Sequence, residues 1–330
     1  MRTLRRYFLI GSYLGWIALA ANAITAASAQ EDPTKYPTRP IHIIVGFTPG
    51  GGNDIIARIV GQKLSESLGQ PVVIDNKPGA GAIVATEYVA KSDPDGYTLL
   101  VGASGAMAVN PAVFAKLPYD PIRDFTPVSE LASFPLILIV NAASPIKSVS
   151  DLIAYAKANP DKINMSSPGI GSANHVLGEL FQMMTGVKLV HIPYKGSQFP
   201  DLLSGQVQIT FNPLPSSLNF INTGKLRALA VTSATRQAVL PDVPTVGEFV
   251  PGYEGNAWFG IGAPKNTSKE IVDKLNSEIN AGLADPKLSA RLIDLGGVPM
   301  LVTPAEFGKF IADETEKWGK VVKFAGLKVK

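Results

Sequence analysis

Residues 41–67 read IHIIVGFTPGGGNDIIARIVGQKLSES, and this stretch decides the fold. It begins with the β-prone run Ile41 to Val45, passes through three consecutive glycines after Pro49, and ends in a segment of helical periodicity. The order predicts a buried strand, a glycine loop and a helix N-terminus, where backbone N–H groups and the helix dipole favour an anion. A tight strand-to-helix turn with Asn53 or Asp54 as the N-cap is the alternative.

The glycine loop matches neither of the two common nucleotide-binding loops. A dinucleotide fingerprint starting at Gly50 needs glycine at position 55, where the chain has Ile55. A P-loop counted from Gly46 needs lysine at the position of Gly52. The loop itself contains no lysine or arginine. It therefore favours a small carboxylate, because a triphosphate also requires lysine and Mg²⁺.

The N-terminus predicts an export signal at residues 1–29. Arg2, Arg5 and Arg6 precede an apolar run, and a small-residue cleavage site ends at Ala29. We expect the mature chain to begin near Gln30 in the periplasm. The paired arginines fit the twin-arginine export pattern, but such pairs are also common in ordinary signal peptides, which favours general export. An uncleaved membrane anchor is the alternative.

Composition narrows the possible functions. Without the three leader arginines, 27 basic residues balance 27 acidic ones, so charge gives no indication of nucleic-acid binding. The chain has no cysteine, which excludes disulfides, thiolate nucleophiles and cysteine-ligated metals. The mature length is enough for two domains that each bury a core.

A second glycine loop repeats the architecture of the first. Ile163 to Ser166 are predicted as a strand and Pro168 to Ser172 as the loop. Ala173 to Thr185 are predicted as a helix, with Ser172 as its N-cap and Gly186 after its end. Further strands are predicted at 72–75, 97–101, 134–140, 189–193, 206–211 and 226–232. The alternation with helices predicts an α/β architecture with mainly parallel sheets.

Two such units predict two lobes. Capping boxes at Thr267 with Glu270 and at Thr303 with Glu306 start two tail helices. If these helices pack back onto the first lobe, the chain crosses between the lobes near residues 131–138 and 255–261. A double crossing of this kind makes a hinge.

Catalytic side chains are sparse. Ser172 and His175 at one helix start are the nearest candidates for a hydrolase, but no Gly-x-Ser-x-Gly elbow exists. His42 and His191 fall in predicted strands, and no two histidines have metal-ligand spacing. We therefore expect no catalytic residue, no metal and no cofactor.

A ligand clamp needs only convergent donors. Charge-assisted hydrogen bonds contribute roughly 1.5 to 3 kcal/mol each, so four or five suffice for micromolar affinity. On this reasoning the two loops oppose each other across a cleft, and polar residues at strand ends recognise the rest of the ligand. The predicted ligand residues from this step are Gly51, Gly52, Asn53, Gly169, Gly171, Ser172, Ser104, Tyr194 and Asn212.

Several different short motifs follow one another along the chain from Tyr36 to its end. They are Tyr36-Pro37, Arg39-Pro40-Ile41, Pro49 to Ile55 with Ala57-Arg58, Gly69 to Val73, Asn76 to Ala80, Asp95 to Leu99, Ile192 to Gly196, Gly205 to Val207, Leu240 to Thr245, and Trp258 with Ala263-Pro264. Their number, order and spacing resemble the solute-binding proteins of tripartite tricarboxylate transporters, the Bug receptor family.

The resemblance implies an α/β fold of the periplasmic-binding-protein type II class, with two lobes, a two-strand hinge and a ligand cleft between them. Lobe 1 is expected at residues 30–134 plus 257–330 and lobe 2 at 135–256. The implied function is capture of a small organic carboxylate by lobe closure and delivery to the membrane subunits of the transporter. We expect a monomer that is not an enzyme and binds no nucleic acid. The family's two pinching loops match Phe47 to Asp54 and Ser166 to His175, which adds Phe47, Asp54, Ser166 and His175 to the predicted ligand residues.

Three departures from the family pattern fall near the expected cleft. Asn212 stands where the family usually has aspartate, Met107 lies near a frequent histidine, and the segment between Lys195 and Asp201 is shorter than usual. They leave open whether the ligand is aliphatic or aromatic. A sensor that presents its ligand to a signalling partner would use the same site.

Overall fold

A computed structural model describes residues 35–50, 52–194 and 197–327. The chain divides into two compact units, residues 1–36 and residues 37–330. Of the first unit only Lys35 and Tyr36 are described, so the predicted export signal lies outside the described residues. Within the described part, none of the helices has the length and apolar character needed to cross a membrane.

Strands and helices alternate along the second unit, as predicted for an α/β chain. The strands are β1 (Ile41–Val45), β2 (Val72–Asn76), β3 (Thr98–Ala103), β4 (Phe125–Asn141), β5 (Asn164–Ser167), β6 (Val190–Pro193), β7 (Ile209–Pro213), β8 (Leu226–Val231), β9 (Asn256–Pro264) and β10 (Val298–Pro299). The helices are α1 (Gly52–Leu68), α2 (Ile83–Ala90), α3 (Asn110–Val113), α4 (Val149–Ala158), α5 (Ala173–Thr185), α6 (Phe199–Ser204), α7 (Leu214–Asn222), α8 (Lys269–Ala284), α9 (Pro286–Asp294) and α10 (Pro304–Phe324).

The described strands form one sheet in the order β2-β1-β3-β9-β4-β7-β5-β6, with β8 and β10 also paired to β4. We call β1, β2, β3, β9 and β10 the first half and β5, β6, β7 and β8 the second half. β4 belongs to both halves. Its first part pairs with β9 from Phe125 to Pro135, and its last part pairs with β7 and β8 from about Leu136 onwards.

The two glycine loops follow parallel strands at the edges where those strands end. β1 is parallel to both β2 and β3, so the carboxyl ends of these three strands lie at one edge. The first loop follows β1, Asn76 ends β2, and Ser104 follows β3. β5 is parallel to β6 and β7, which brings Ser166, Tyr194 and Asn212 to one edge of the second half. The carboxyl ends of parallel strands are where ligands bind in open α/β sheets.

Residues next to each end of α5, the helix that follows the second loop, determine where it begins and ends. Ser172 caps α5 by accepting a hydrogen bond from the backbone N of His175 at 3.3 Å. Gly186 follows the last residue with a φ of +70°, a conformation that glycine adopts readily. The predicted bounds of this helix and both of its end signals are confirmed.

The structure corrects several predicted elements. The sequence predicts β4 only from 134 to 140, whereas the strand begins at Phe125. Pro127, Ser129 and Glu130 are not typical strand residues, so its first part shows no strand pattern. Bulges near Pro127 and Glu130 accommodate the irregular pairing. Helix α7 was not predicted at all. Helix α8 is capped by Ser268 and not by Thr267, whose hydroxyl donates to Pro264 O. The capping box at Thr303 is confirmed.

Helix α10 packs against the first half and against α5 in the second half. Phe307 and Trp318 of this helix are fully buried. A Cβ built on Gly255 would lie 2.4 Å from Leu177 of α5 and 3.2 Å from Trp318, so these three residues meet closely. The tail helix therefore joins the hydrophobic core of both halves.

We expect Gly260→Ala to lower the free energy of unfolding by about 1–3 kcal/mol, because overpacking a tight site forces its neighbours to move. A Cβ at this position of β9 would lie 2.2 Å from Phe307 Cζ and 2.9 Å from Ser129 O. Gly319→Ala in α10 is the matched control, since its Cβ would meet nothing within 4 Å. The control should gain up to about 1 kcal/mol in helix propensity. Urea denaturation measures both, and equal stability of the two variants would contradict the packing of β9 against α10.

Candidate functional site

The first loop, residues 47–54, leads from β1 into α1. Gly51, a predicted ligand residue, lies outside the described residues. Gly50 has a φ of +83°, in the region that favours glycine. Gly52 is already the first residue of α1 and has no positive φ. Asn53 and the residue after it therefore lie within the first turn of α1 and do not precede it as an N-cap.

Asp54 holds the first loop in shape. Its buried carboxylate accepts hydrogen bonds from Gly50 N at 2.9 Å, from Arg58 Nε at 2.9 Å and from Asn76 Nδ2 at 3.0 Å. The bond from Arg58 is the main cause that lowers the pKa of Asp54 to about 2. Asn76 Nδ2 also donates to Phe47 O at 2.9 Å, which ties the start of the loop to its end. The carboxylate thus serves the loop's own structure.

Asn53 differs from Asp54, because the nitrogen of its side-chain amide forms no hydrogen bond with the described residues. The side-chain Nδ2 of Asn53 is buried and has no hydrogen-bond partner among the described residues. The backbone N–H groups of a first helical turn also lack partners within their own helix. Asn53 therefore offers donors at the N-terminus of α1, where a negative charge is favoured.

The second loop, residues 166–175, also contains a buried polar atom without a hydrogen-bond partner among the described residues. Ser166, in β5, is fully buried, and its Oγ has no hydrogen-bond partner within the described part of the chain. Its carbonyl oxygen accepts a hydrogen bond from Thr210 Oγ1 of β7 at 2.9 Å. The backbone of Ser166 is thus held by the neighbouring strand, while its buried hydroxyl has no partner among the described residues.

Main-chain donors of the second loop are engaged within the loop. Gly169 N donates to Ser167 Oγ at 3.0 Å, and Gly171 N donates to His175 Nδ1 at 3.2 Å. Ser172 Oγ donates to Gly169 O at 2.7 Å. A ligand that uses the N–H groups of Gly169 and Gly171 has to displace these internal acceptors.

Two stacked histidines contact residues of the second loop. The rings of His175 and His191 lie 3.7 Å apart between centroids with an interplanar angle of 17°. His175 Nε2 faces Glu179 Oε1 at 3.3 Å, and His191 Nε2 lies 2.6 Å from Ser167 Oγ. Because Nδ1 of His175 accepts from Gly171, its proton belongs on Nε2, towards Glu179. Burial, and after it the neighbouring His175, lowers the pKa of His191 to about 4.

The remaining predicted ligand residues lie at the expected strand ends. Ser104 is buried where β3 leads into the short π-helical turn 105–109. Tyr194 donates its hydroxyl to Asp201 Oδ2 at 2.6 Å, and this bond is the main cause that raises the pKa of Tyr194 to about 12. Asn212 accepts from Gln198 Nε2 at 2.7 Å and donates to Ser217 Oγ at 3.0 Å. Tyr194 and Asn212 are thus bonded to neighbours within the second half.

The second loop reaches the first half of the sheet. Gly171 has a φ of +79°, and a Cβ built on it would lie 3.9 Å from Val113 Cγ2 at the end of α3. Helix α3 follows β3, a strand of the first half. The two halves therefore meet beside the second loop.

Sequence reasoning missed several residues that shape the site. Asn76 and Ser167 end β2 and β5, so the strand-end rule was sufficient to find them. Glu179 lies one helical turn after His175, a spacing that predicts a contact. Val113 and Gln198 have no comparable signal, because their contacts depend on packing between distant segments.

Ser172 and His175 do not form a nucleophile and base. Ser172 Oγ bonds to Gly169 O and to the backbone N of His175, and neither partner is the imidazole. The two ring nitrogens face Gly171 N and Glu179. A hydrolase needs the nucleophile and the ring of the base within hydrogen-bond reach, and this arrangement lacks that contact.

Two open surface pockets have no residue of either loop in their lining. One, of about 650 Å³, lies between α1 and α9 and is lined by Lys63 and Asp285 among others. The other, of about 500 Å³, is lined by residues of α3, α10 and the segment after α10. Neither contains a predicted ligand residue. We place the site by its unpaired polar atoms, since pocket volume alone does not identify a recognition chemistry.

Known proteins are similar to this chain over most of its length. The family described as "Tripartite tricarboxylate transporter family receptor" matches residues 56–327. Protein BugT of Bordetella pertussis is 40% identical over 314 residues, which cover 94% of this chain and 96% of BugT.

Two similar solved structures show the fold. An R. palustris protein solved with adipate is 40% identical, with a TM-score of 0.77 over 89% of this chain and 100% of that one. MatC of Rhodopseudomonas palustris, with bound malate, is 33% identical, with a TM-score of 0.73 over 87% of this chain and 100% of MatC. These similarities confirm the predicted α/β fold of the type II periplasmic-binding-protein class.

We expect Asp54→Asn to lower the free energy of unfolding by about 1–3 kcal/mol, because an amide keeps only one acceptor oxygen. Either Gly50 N and Arg58, which share Oδ2, or Asn76, which donates to Oδ1, then loses its acceptor. The pKa of Asp54 is depressed to about 2, so its contribution is complete above about pH 4 and is lost as the pH falls towards 2. Urea denaturation across this pH range measures both effects. As a control, Asp273→Asn breaks an exposed pair with Lys269 in α8 and should cost less than about 1 kcal/mol. A gap between the variants that does not narrow in acid would contradict the assigned role.

Proposed function

This chain belongs to the tripartite tricarboxylate transporter receptor family, whose members are periplasmic solute-binding receptors, and we propose that its own ligand is a small organic carboxylate held between the first and second loops. Adipate and malate, bound by the two similar proteins, are both carboxylates. The same class is favoured by the chemistry of the two loops, which present N–H and O–H donors beside helix N-termini.

One observation carries the proposal. Among the described residues, four buried side-chain polar atoms lack a hydrogen-bond partner. Two of the four are Asn53 Nδ2 and Ser166 Oγ, one in each loop and one on each side of β4. Buried polar groups are almost always hydrogen-bonded, so each such atom requires an explanation. A carboxylate between the loops accepts from both atoms at once.

Charge complementarity is supplied by dipoles and neutral donors. The N-termini of α1 and α5 both lie at strand ends beside the loops, and each contributes a partial positive charge. Arg58 is already paired with Asp54 and Asn76. We propose that Asn53, Ser166 and the N–H groups of the first turn of α1 bind one carboxylate group. Ser104, Tyr194 and Asn212 then border the remainder of the ligand.

We propose lobe closure about two strands as the working motion. Lobe 1 comprises residues 30–134 and 257–330, and lobe 2 comprises residues 135–256. In support, β4 changes its pairing partners at Pro135 and Leu136, and β9 begins at Asn256. Opening the lobes moves α5 relative to α10, and the contact of Gly255 with Leu177 and Trp318 is where that sliding occurs.

The cellular role follows from the family. We propose that the chain is exported with cleavage between Ala29 and Gln30 and acts as a monomer without catalytic activity. It then delivers its carboxylate to the membrane subunits of a tripartite tricarboxylate transporter. The contacts of Ser172 and His175 support a binding role over a hydrolytic one, because the Ser172 hydroxyl bonds to backbone groups and not to the imidazole.

We expect Asn53→Ala and Ser166→Ala each to weaken carboxylate binding by roughly 10- to 100-fold, the value of a hydrogen bond to a charged group. A thermal-shift screen of adipate, malate and aromatic acids selects the probe, and calorimetry measures its Kd. Ser277→Ala, on the exposed side of α8, is the control and should bind normally. Unchanged affinity in both loop variants would contradict the site, whereas no stabilisation by any acid would contradict the ligand class.

A rival hydrolase is tested with Ser172→Ala. We expect this variant to lose about 0.5–2 kcal/mol of stability, because it removes the N-cap of α5. Ser148→Ala removes the N-cap of α4 in the same way and is the matched control. Ester and amide turnover is measured for wild type and both variants. Turnover in the wild type that disappears only in Ser172→Ala would support the hydrolase.

A further inference from the structure

Two buried glutamates, one in β4 and one in α10, lie outside both ligand loops. Glu130 of β4 is 2% exposed, and Glu314 of α10 is 5% exposed. Glutamate is seldom buried without a partner, because removing a charged carboxylate from water costs several kcal/mol. The proposed ligand site uses neither residue.

The two carboxyl groups have opposite surroundings. Glu314 accepts hydrogen bonds from Trp258 Nε1 at 3.2 Å and from Trp318 Nε1 at 2.7 Å, and it also pairs with Lys317. Glu130 Oε1, in contrast, is buried and has no partner among the described residues. Three donors suit a carboxylate, whereas a site without donors suits a neutral acid.

Within the described part of the chain, no basic side chain pairs with Glu130. β9, which carries Gly260 opposite Glu130, contains no titratable residue, and neither does β10. Helix α8 reaches β4 through Asn276, which donates to Val128 O. Helix α10 brings Glu314 and its partner Lys317. Burial, and after it the charge of Glu314, raises the pKa of Glu130 to about 7.

We propose that Glu130 is a proton-binding site of the folded chain and that its proton keeps α10 seated on β4. Loss of the proton places a second negative charge beside Glu314 beneath this helix. The same helix carries Trp318, which lies close to Gly255 and so to the contact with Leu177 of α5. Protonation of Glu130 thus couples to the helix that joins the two halves. The inference does not depend on which ligand the loops bind.

The sign of the pH effect follows from the raised pKa. Between the ordinary glutamate value of about 4.5 and about 7, the folded chain binds more protons at Glu130 than the unfolded chain does. Stability from this group is therefore complete below about pH 4.5, falls as the pH rises, and levels off above about pH 7. Glutamine at this position carries no charge and removes the effect.

The first experiment compares thermal unfolding of wild type, Glu130→Gln and Glu316→Gln between about pH 5 and pH 8.5. Glu316 is an exposed residue of the same helix and serves as the control. We expect Glu130→Gln to unfold at the wild-type temperature near pH 5 and several degrees higher near pH 8, with Glu316→Gln following the wild type. A Glu130→Gln profile parallel to that of the wild type would overturn the proton site.

A second measurement uses the wild-type chain and so does not depend on the variant folding. Carboxyl ¹³C NMR should show one glutamate titrating near neutral pH, and that signal should be absent in Glu130→Gln. Titration of every glutamate below about pH 5.5 would overturn the proposal. For the coupling, hydrogen exchange in α10, corrected for the intrinsic rate, should quicken near pH 8 in the wild type alone. Equal corrected exchange in both chains would overturn the link to α10.

Discussion

A single strand, β4, has to satisfy backbone hydrogen bonds in both halves of the sheet. It pairs with β9 and β10 along its first part and with β7 and β8 along its last part. Buried backbone groups must be paired, so neither part of β4 can change its register without breaking a ladder. The parallel strands that carry the two glycine loops are joined to it through β9 and β7. The separation and orientation of the loops therefore depend on this strand, and so does the burial of Glu130 beneath α10.

Each loop is held by acceptors that belong to the protein. In the first loop Asp54 accepts from Gly50 N, and in the second His175 accepts from Gly171 N. Such contacts restrict the loops before a ligand arrives, which lowers the conformational entropy lost on binding. They also use up donors that a glycine loop would otherwise present. Within the described part of the two loops, Asn53 Nδ2 and Ser166 Oγ stay unpaired, so these two groups gain most from a ligand.

Differences between the expected and observed elements have physical causes that can be traced to particular residues. Pro127 and Glu130 are poor strand residues, and they are accommodated in β4 because bulges and a helix-covered face tolerate them. Ser268 displaced Thr267 as the cap of α8, since the hydroxyl of Thr267 bonds backwards to Pro264 O. The choice between adjacent capping residues depends on the preceding strand end, which local sequence patterns do not contain.

The sequence by itself determined the alternation of strands and helices, the two glycine loops and the bounds of α5, because these depend on residues close together in the chain. A strand, a positive φ and an N-cap are each specified within a few neighbours. Tertiary structure alone decided which donors the loops keep, that the rings of His175 and His191 stack, and that Glu130 is buried beside Glu314. Those outcomes depend on the register of distant strands and on the packing of α10, and such contacts leave no local pattern in the sequence.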